Sequence, residues 1–174
     1  MAQKNQKTRK NAAAPHPMEG RKAPAFAVDS DSGSTVRLAD FAGKYVVLYF
    51  YPRDMTPGCT QESCEFGESH AALKKLGAVV LGVSRDSIES HRKFRDKYGL
   101  PFELLSDADG KLCENYGVWK EKSLYGRKFM GIERSTFVIG PDGRVLKAYQ
   151  PVKVTGHVAA VTQYLKELKS PAKA

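Results

Sequence analysis

Cys59 and Cys64 stand five positions apart in Tyr51-Pro52-Arg53-Asp54-Met55-Thr56-Pro57-Gly58-Cys59-Thr60-Gln61-Glu62-Ser63-Cys64, a segment that leads from an apolar run into a helical pattern. A thiol at such a junction falls in the first turn of a helix, where unpaired amides and the positive end of the dipole favour a thiolate. The chemistry this predicts is sulfur redox chemistry. A free thiol with a pKa near 8.5 is only about 3% ionised at pH 7, so a shift to about 6, worth roughly 3.4 kcal/mol, would make it an effective nucleophile. Pro57 suits the first helical position because it sacrifices no intrahelical donor, Gly58 leaves the backbone open to close approach, and Thr56 supplies a hydroxyl and a cap.

An intact helix would hold the Cα atoms of Cys59 and Cys64 about 8.6 Å and about 140° apart. A disulfide spans at most roughly 7 Å between Cα atoms, so bridging the two requires the helix to unwind between them. Ser63 and Gly67 make that stretch easier to melt, while Glu62 and Glu65 oppose it. The third cysteine, Cys113, lies on a short amphipathic stretch and reads as a packed core thiol, with a resolving role as the competing assignment. Uneven spacing of three cysteines makes a poor structural disulfide framework and points to a reducing compartment. Cys-x4-Cys is half of a zinc site with no second Cys/His pair to complete it, and there is no Cys-x-x-Cys of the disulfide-exchange type. His16, His70 and His91 are expected in solvent and His157 at the start of the last helix, none in the setting of a catalytic base.

The elements that must position these thiols follow from periodicity. Phe26 and Val28 begin an extended segment, Asp29 to Ser34 turn, and Thr35-Val36-Arg37-Leu38 alternate as a short strand. A helical turn over 39–44 closes at Gly43, and 45–51 is apolar on both faces, as a central covered strand is. Phe66, Leu73 and Leu76 recur at helical spacing up to Gly77. Residues 79–84 form a second buried strand, and Asp86 or Ser87 caps a helix through Tyr98 with Gly99 as its stop. Then come a strand over 102–105, a turn at 107–110, a short helix carrying Cys113 and Tyr116, and an irregular stretch over 117–131. Residues 135–139, the turn 140–143 and 145–149 make a hairpin, and Val158, Val161, Leu165 and Leu168 form the apolar stripe of a terminal helix. Interleaved strands and helices call for one three-layer α/β domain with a mixed sheet. There is no Walker loop, dinucleotide Gly-x-Gly-x-x-Gly segment or repeat.

The chain has 174 residues, 41% of them hydrophobic, enough for one substantial core. Its longest apolar run is far short of the roughly 20 residues that span a bilayer, and the opening residues lack the apolar centre of a signal peptide, so a soluble cytoplasmic protein is expected. Of the formal charge of +9, Lys4, Lys7, Arg9 and Lys10 against Glu19 put +3 in the first twenty residues. Residues 1–20 therefore read as a disordered basic extension ahead of a domain over 21–174, able to touch nucleic acid or an anionic surface non-specifically.

Pro52-x-x-x-Thr56-x-x-Cys59-x-x-Glu62 together with Gly131-Ile132-Glu133-Arg134-Ser135-Thr136-Phe137 closely resembles a peroxiredoxin. The fuller Thr-Pro-Gly-Cys-Thr-x-Glu-x-x-Cys is similar to the bacterioferritin-comigratory, or PrxQ, branch. The likeness covers about residues 21–168 and implies a thioredoxin-like three-layer fold with a central mixed sheet flanked by helices. It also implies an antioxidant thiol peroxidase that reduces hydrogen peroxide and organic hydroperoxides. Cys59 would attack the peroxide and become a sulfenic acid, and Cys64 would condense with it into an intramolecular Cys59–Cys64 disulfide reduced by thioredoxin or a similar dithiol. Thr56 would hydrogen-bond the thiolate or the peroxide, Arg134 would help ionise Cys59 and polarise the O–O bond, and the amides of Gly58 and Cys59 would bind oxygen. Pro52 would wall the pocket and Glu62 orient an arginine. No metal, haem, flavin or other cofactor is implied, and internal resolution favours a monomer. Glutathione peroxidases share the fold, but the context of Cys59 and the distant Arg134 favour the peroxiredoxin. The alternatives are a one-cysteine peroxidase that uses Cys59 and an external thiol and, in a different class, a nucleic-acid-binding protein acting through its basic tail.

Overall fold

The computed structural model describes residues 15–169. Its strands are β1 (Ala27–Asp29), β2 (Thr35–Arg37), β3 (Tyr45–Phe50), β4 (Ala78–Ser84), β5 (Glu103–Ser106), β6 (Trp119–Leu124), β7 (Arg127–Ile132), β8 (Ser135–Ile139) and β9 (Val145–Tyr149). The helices are α1 (Pro57–Lys75), α2 (Ile88–Tyr98), α3 (Lys111–Asn115) and α4 (His157–Lys169), with a 3-10 turn at Leu38–Phe41. Five strands form the central sheet in the order β5-β4-β3-β8-β9. The β3–β4 and β4–β5 pairs are parallel, and β3–β8 and β8–β9 are antiparallel.

Alternation along β3 sends its side chains into two cores. Val46, Leu48 and Phe50 pack with Leu112, Cys113 and Tyr116 of the α3 region on one face, over which the β1–β2 hairpin and the 3-10 turn also close. Val47, Tyr49 and Tyr51 pack on the other face against Phe66 and Leu73 of α1, Phe94 of α2, and Val158, Val161 and Leu165 of α4. A strand covered on both faces has no polar positions to spare, which is why 45–51 reads as an unbroken apolar run. Gly82 of β4 stands beside Tyr49 in register. A Cβ there would lie 2.8 Å from the Tyr49 ring and hydroxyl, so glycine is what lets the ring lie flat and reach Ser63 of α1 at 2.9 Å.

Register also brings the chemistry together. Because β8 runs antiparallel to β3, Ser135 faces Phe50, and the chain entering β8 at Arg134 arrives where β3 ends and α1 begins. The parallel strands β4 and β5 deliver Ser84 and Ser106 to the same edge. Ser87, not Asp86, caps α2 by accepting the Ser90 amide, and Gly99 ends it in the left-handed conformation.

Three expectations are corrected. The stretch 117–131 is not irregular: β6 and β7 form an antiparallel ribbon in continuous register from Trp119–Ile132 to Leu124–Arg127. Its two-residue turn uses Tyr125 and Gly126, both at positive φ (51° and 77°), and tyrosine masks a turn that asparagine would have signalled. Leu168 is exposed and is not part of the α4 stripe, because the last turn of α4 overhangs the core. Residues 16–20 are tied to the domain: Gly20 donates to the Val145 carbonyl at 2.7 Å, His16 bonds Gln150 at 2.6 Å and its ring meets Phe137 edge-on, and Glu19 accepts the Ala148 amide. The rest of the expected extension, residues 1–14, lies outside the described residues.

Candidate active site

Thr56 occupies the N-cap position of α1 in an extended conformation, Pro57 opens the helix, and Cys59 follows in its first turn. The first intrahelical bond runs from Thr60 N–H to the Thr56 carbonyl at 2.9 Å. The amides of Gly58 and Cys59 precede it and are left for another acceptor. The Thr56 hydroxyl does not cap the helix; it donates to the Arg53 carbonyl at 2.8 Å, which closes the loop on itself and leaves the oxygen lone pairs free to accept.

Cys59 is buried, and Arg134 Nη2 donates to its sulfur at 3.3 Å. The other arm of the same guanidinium, Nη1, donates to Glu62 Oε1 at 2.8 Å. Burial opposes the charge of Arg134, but Glu62 and the Cys59 sulfur raise its pKa above the ordinary value. Glu62 is fully buried and its Oε2 has no hydrogen-bond partner among the described residues. Burial pushes its carboxyl up to about 7 against the opposing pull of Arg134. A Cβ at position 58 would lie 3.2 Å from Arg134 Nη2, so the close approach that Gly58 permits is that of the guanidinium.

Cys64 lies further along the intact α1, and the three cysteines are all free thiols. Partial burial, then Glu68, raises the Cys64 pKa. Cys113 is fully buried in the core on the opposite face of the sheet from Cys59, its thiol pushed far up by burial and by Asp107. The sheet therefore stands between Cys113 and the sulfur of Cys59.

Pro52 and Arg53 border a cleft of about 410 Å³ whose other walls are Arg85, Trp119, Lys122 and the Phe129–Ile132 stretch of β7. The ribbon invisible in the sequence thus walls the cleft that Pro52 and Arg53 border. Lys122 stands near enough to Arg134 and Cys59 to feel both: partial burial, then Arg134, lower its pKa, and Cys59 opposes this.

His91, expected in solvent, is fully buried and bonds Asp54 at 2.8 Å and the Leu105 carbonyl at 2.9 Å. Its partner lies 37 residues away, so no local pattern reveals the pairing. Asp54, Asp86 and His91 bring ligand-type atoms within 4.8 Å of one another. Both ring nitrogens of His91 are engaged, and Asp86 Oδ2 accepts from the Asp54 amide and the Ser84 hydroxyl, so hydrogen bonds tie the cluster together. His157 sits beneath the site, bonded to Thr136 Oγ1 at 2.7 Å, and burial, then Arg134, lower its pKa to about 4, which keeps it neutral. His70 is partly buried beside Phe102.

Residues 20–148 match the AhpC/TSA family. The peroxiredoxin Bcp of Bacillus subtilis is 53% identical over 149 residues, covering 86% of this chain and 95% of the relative. The peroxiredoxin Bcp of Escherichia coli is 43% identical over 145 residues, covering 83% and 93%. Among solved structures, the bacterioferritin comigratory protein of Xanthomonas campestris, studied for alkyl peroxide reduction in trapped intermediate and ligand complexes, superposes with a TM-score of 0.80 at 44% identity. It covers 83% of this chain and 92% of its own.

Proposed function

We propose, on the premise that this chain belongs to the AhpC/TSA family and is a peroxidase of the peroxiredoxin class, that Cys59 reduces hydrogen peroxide and organic hydroperoxides and Cys64 resolves the product. The Cys59 thiolate attacks the terminal oxygen of the hydroperoxide. An S–O bond forms as the O–O bond breaks, the sulfur becomes a sulfenic acid, and the departing oxygen takes a proton and leaves as water or alcohol. Charge moves from sulfur to the leaving oxygen, and the donors that meet it are the Gly58 and Cys59 amides and Arg134. The Thr56 hydroxyl, its proton committed to Arg53, accepts from the O–H of the substrate and selects which oxygen faces the sulfur. Glu62 holds the guanidinium in place, and Pro52 walls the cleft.

Cys64 then attacks the sulfenic sulfur, the hydroxyl leaves as water with the Cys64 proton, and the resulting disulfide is reduced by thioredoxin or a similar dithiol. The first turns of α1 unwind for this step, because the intact helix keeps the two Cα atoms about 8.6 Å apart. No second subunit is needed, so the protein works as a monomer, in a reducing compartment such as the cytoplasm. Among the described residues no helix is long and apolar enough to cross a membrane.

The observation that carries this proposal is the forked contact of Arg134 with the Cys59 sulfur and Glu62. Intact-protein mass spectrometry after one equivalent of peroxide tests it: a loss of two hydrogens mapped to the 59–64 peptide is expected, and an unchanged mass would overturn it. A second reading, resolution by an external thiol, is favoured by the raised pKa of Cys64. Cys64→Ser separates the two, because only internal resolution makes thioredoxin-supported turnover depend on that sulfur.

A further inference from the structure

The loop between β3 and α1 carries Pro52, Arg53 and Thr56, and its fixed point is Asp54, which is buried. Oδ1 accepts from the Tyr51 hydroxyl at 2.6 Å, and Oδ2 accepts from Ser90 Oγ at 2.8 Å and lies 2.8 Å from His91 Nδ1. The Asp54 amide donates to Asp86 Oδ2 at 2.9 Å. His91 Nε2 lies 2.9 Å from the Leu105 carbonyl, which can only accept, so that nitrogen carries a hydrogen. With Tyr51 and Ser90 aimed at the same carboxylate, Asp54 and His91 form a buried, fully engaged side-chain pair. Next to this anchor Met55 is held at φ 66°, a left-handed backbone that side chains other than glycine seldom adopt, and Thr56 follows it.

We propose that the Asp54–His91 pair is a positioning element for the peroxide step: it clamps the loop through Met55 so that the Thr56 oxygen and the first amides of α1 stand where the hydroperoxide must lie. This rests on the peroxidase reading above and adds residues to it that touch neither substrate nor sulfur. The clamp joins the loop to α2 through Ser90 and His91 and to β5 through Leu105, so the geometry at Cys59 depends on side chains more than thirty positions away in the sequence. Arg134 approaches the sulfur from β8 and is not held by the clamp. Loss of the pair is therefore expected to disturb the oxygen cradle and leave the sulfur's own reactivity in place.

The test uses the full chain, reduced, with Asp54→Asn, His91→Gln and the double variant Asp54→Ala/His91→Leu. The double variant removes both partners of the pair together, so that neither is left buried without the other, and is the variant read if either single one does not fold. Two rates are measured for each: reaction with hydrogen peroxide by stopped flow, and alkylation of Cys59 by iodoacetamide, which needs the thiolate but no oxygen cradle. A folded variant with its peroxide rate lowered about tenfold or more, and its alkylation rate within about twofold of the parent, supports the clamp. Peroxide rates equal to the parent, or an equal fall in both rates, overturn it. The parent's own peroxide rate is read alongside: a parent that does not react refutes the peroxidase reading, whereas a reactive parent with equally reactive variants refutes the clamp alone.

Discussion

At Arg134 one planar cation serves two partners, with Nη2 on the Cys59 sulfur and Nη1 on Glu62 Oε1. A lysine has the charge but not the fork, so it can meet one partner only at the expense of the other. Arg134→Lys is expected to slow the first peroxide reaction by about ten- to a hundredfold and Arg134→Met by more, as read in single-turnover stopped flow. Equal rates for the lysine variant and the parent would show that charge alone suffices. Glu62 gives a pH signature. Its folded pKa is raised from 4.5 to about 7, so its contribution to stability is fully present below about pH 4.5 and is lost as the pH rises through about 7. Glu62→Gln keeps an acceptor for Arg134 without the charge. In denaturant titrations the parent should lose stability relative to this variant between pH 5 and pH 8, by up to about 3 kcal/mol. A difference that does not vary with pH would contradict the raised value.

On the scale of elements, the proposed mechanism turns on melting at the start of α1. Position 67 can take a methyl group, because a Cβ there would meet the nearest atom, on Pro101, at 3.5 Å, an ordinary contact. Gly67→Ala should stabilise the helix by about 0.5–1 kcal/mol and slow closure of the Cys59–Cys64 disulfide by about two- to fivefold without slowing the first peroxide reaction. Amide exchange over 57–67 should be faster in the oxidised protein than in the reduced one. An unchanged closure rate together with unchanged exchange would remove the unwinding step. The elements also differ in how plainly the sequence announces them. The strand–Pro57–Cys59 junction is local: its cap position, its proline and its thiol sit within four residues, and the helix is readable from them. The β6–β7 ribbon is exposed along most of its length and turns at Tyr125, so neither alternation nor turn chemistry marks it. The contacts that complete the site are long-range: Arg134 is 75 residues from Cys59 and His91 is 37 from Asp54, and only pairing of the strands brings them together. Family resemblance singled out Arg134 from its motif; nothing in the sequence singled out His91, whose burial depends on α2 packing against β5.

For the molecule as a whole, one end of the central strands gathers the start of α1, the loop at Asp54 and the entry to β8, while the basic residues of 1–14 are outside the described residues. The family match begins at residue 20, and the first fourteen residues carry Lys4, Lys7, Arg9 and Lys10 with no acidic residue. Two readings of these four cations, a solvated basic extension and a weak, sequence-independent nucleic-acid contact, are separated by a binding measurement on the full chain. Such binding should fall by about a hundredfold between about 50 and about 200 mM salt and vanish when residues 1–14 are removed, with peroxide turnover unchanged. Affinity that is insensitive to the deletion would place the contact elsewhere. The account as a whole turns on whether the fold makes the sulfur of Cys59 a peroxide-specific nucleophile, and the most direct measurement is the rate at which the reduced full-length protein reacts with hydrogen peroxide, beside free cysteine at the same pH. A rate at least about a thousandfold above free cysteine, equivalent to about 4 kcal/mol of transition-state stabilisation, is predicted, with the reaction abolished by Cys59→Ser. A rate no greater than that of free cysteine would contradict it.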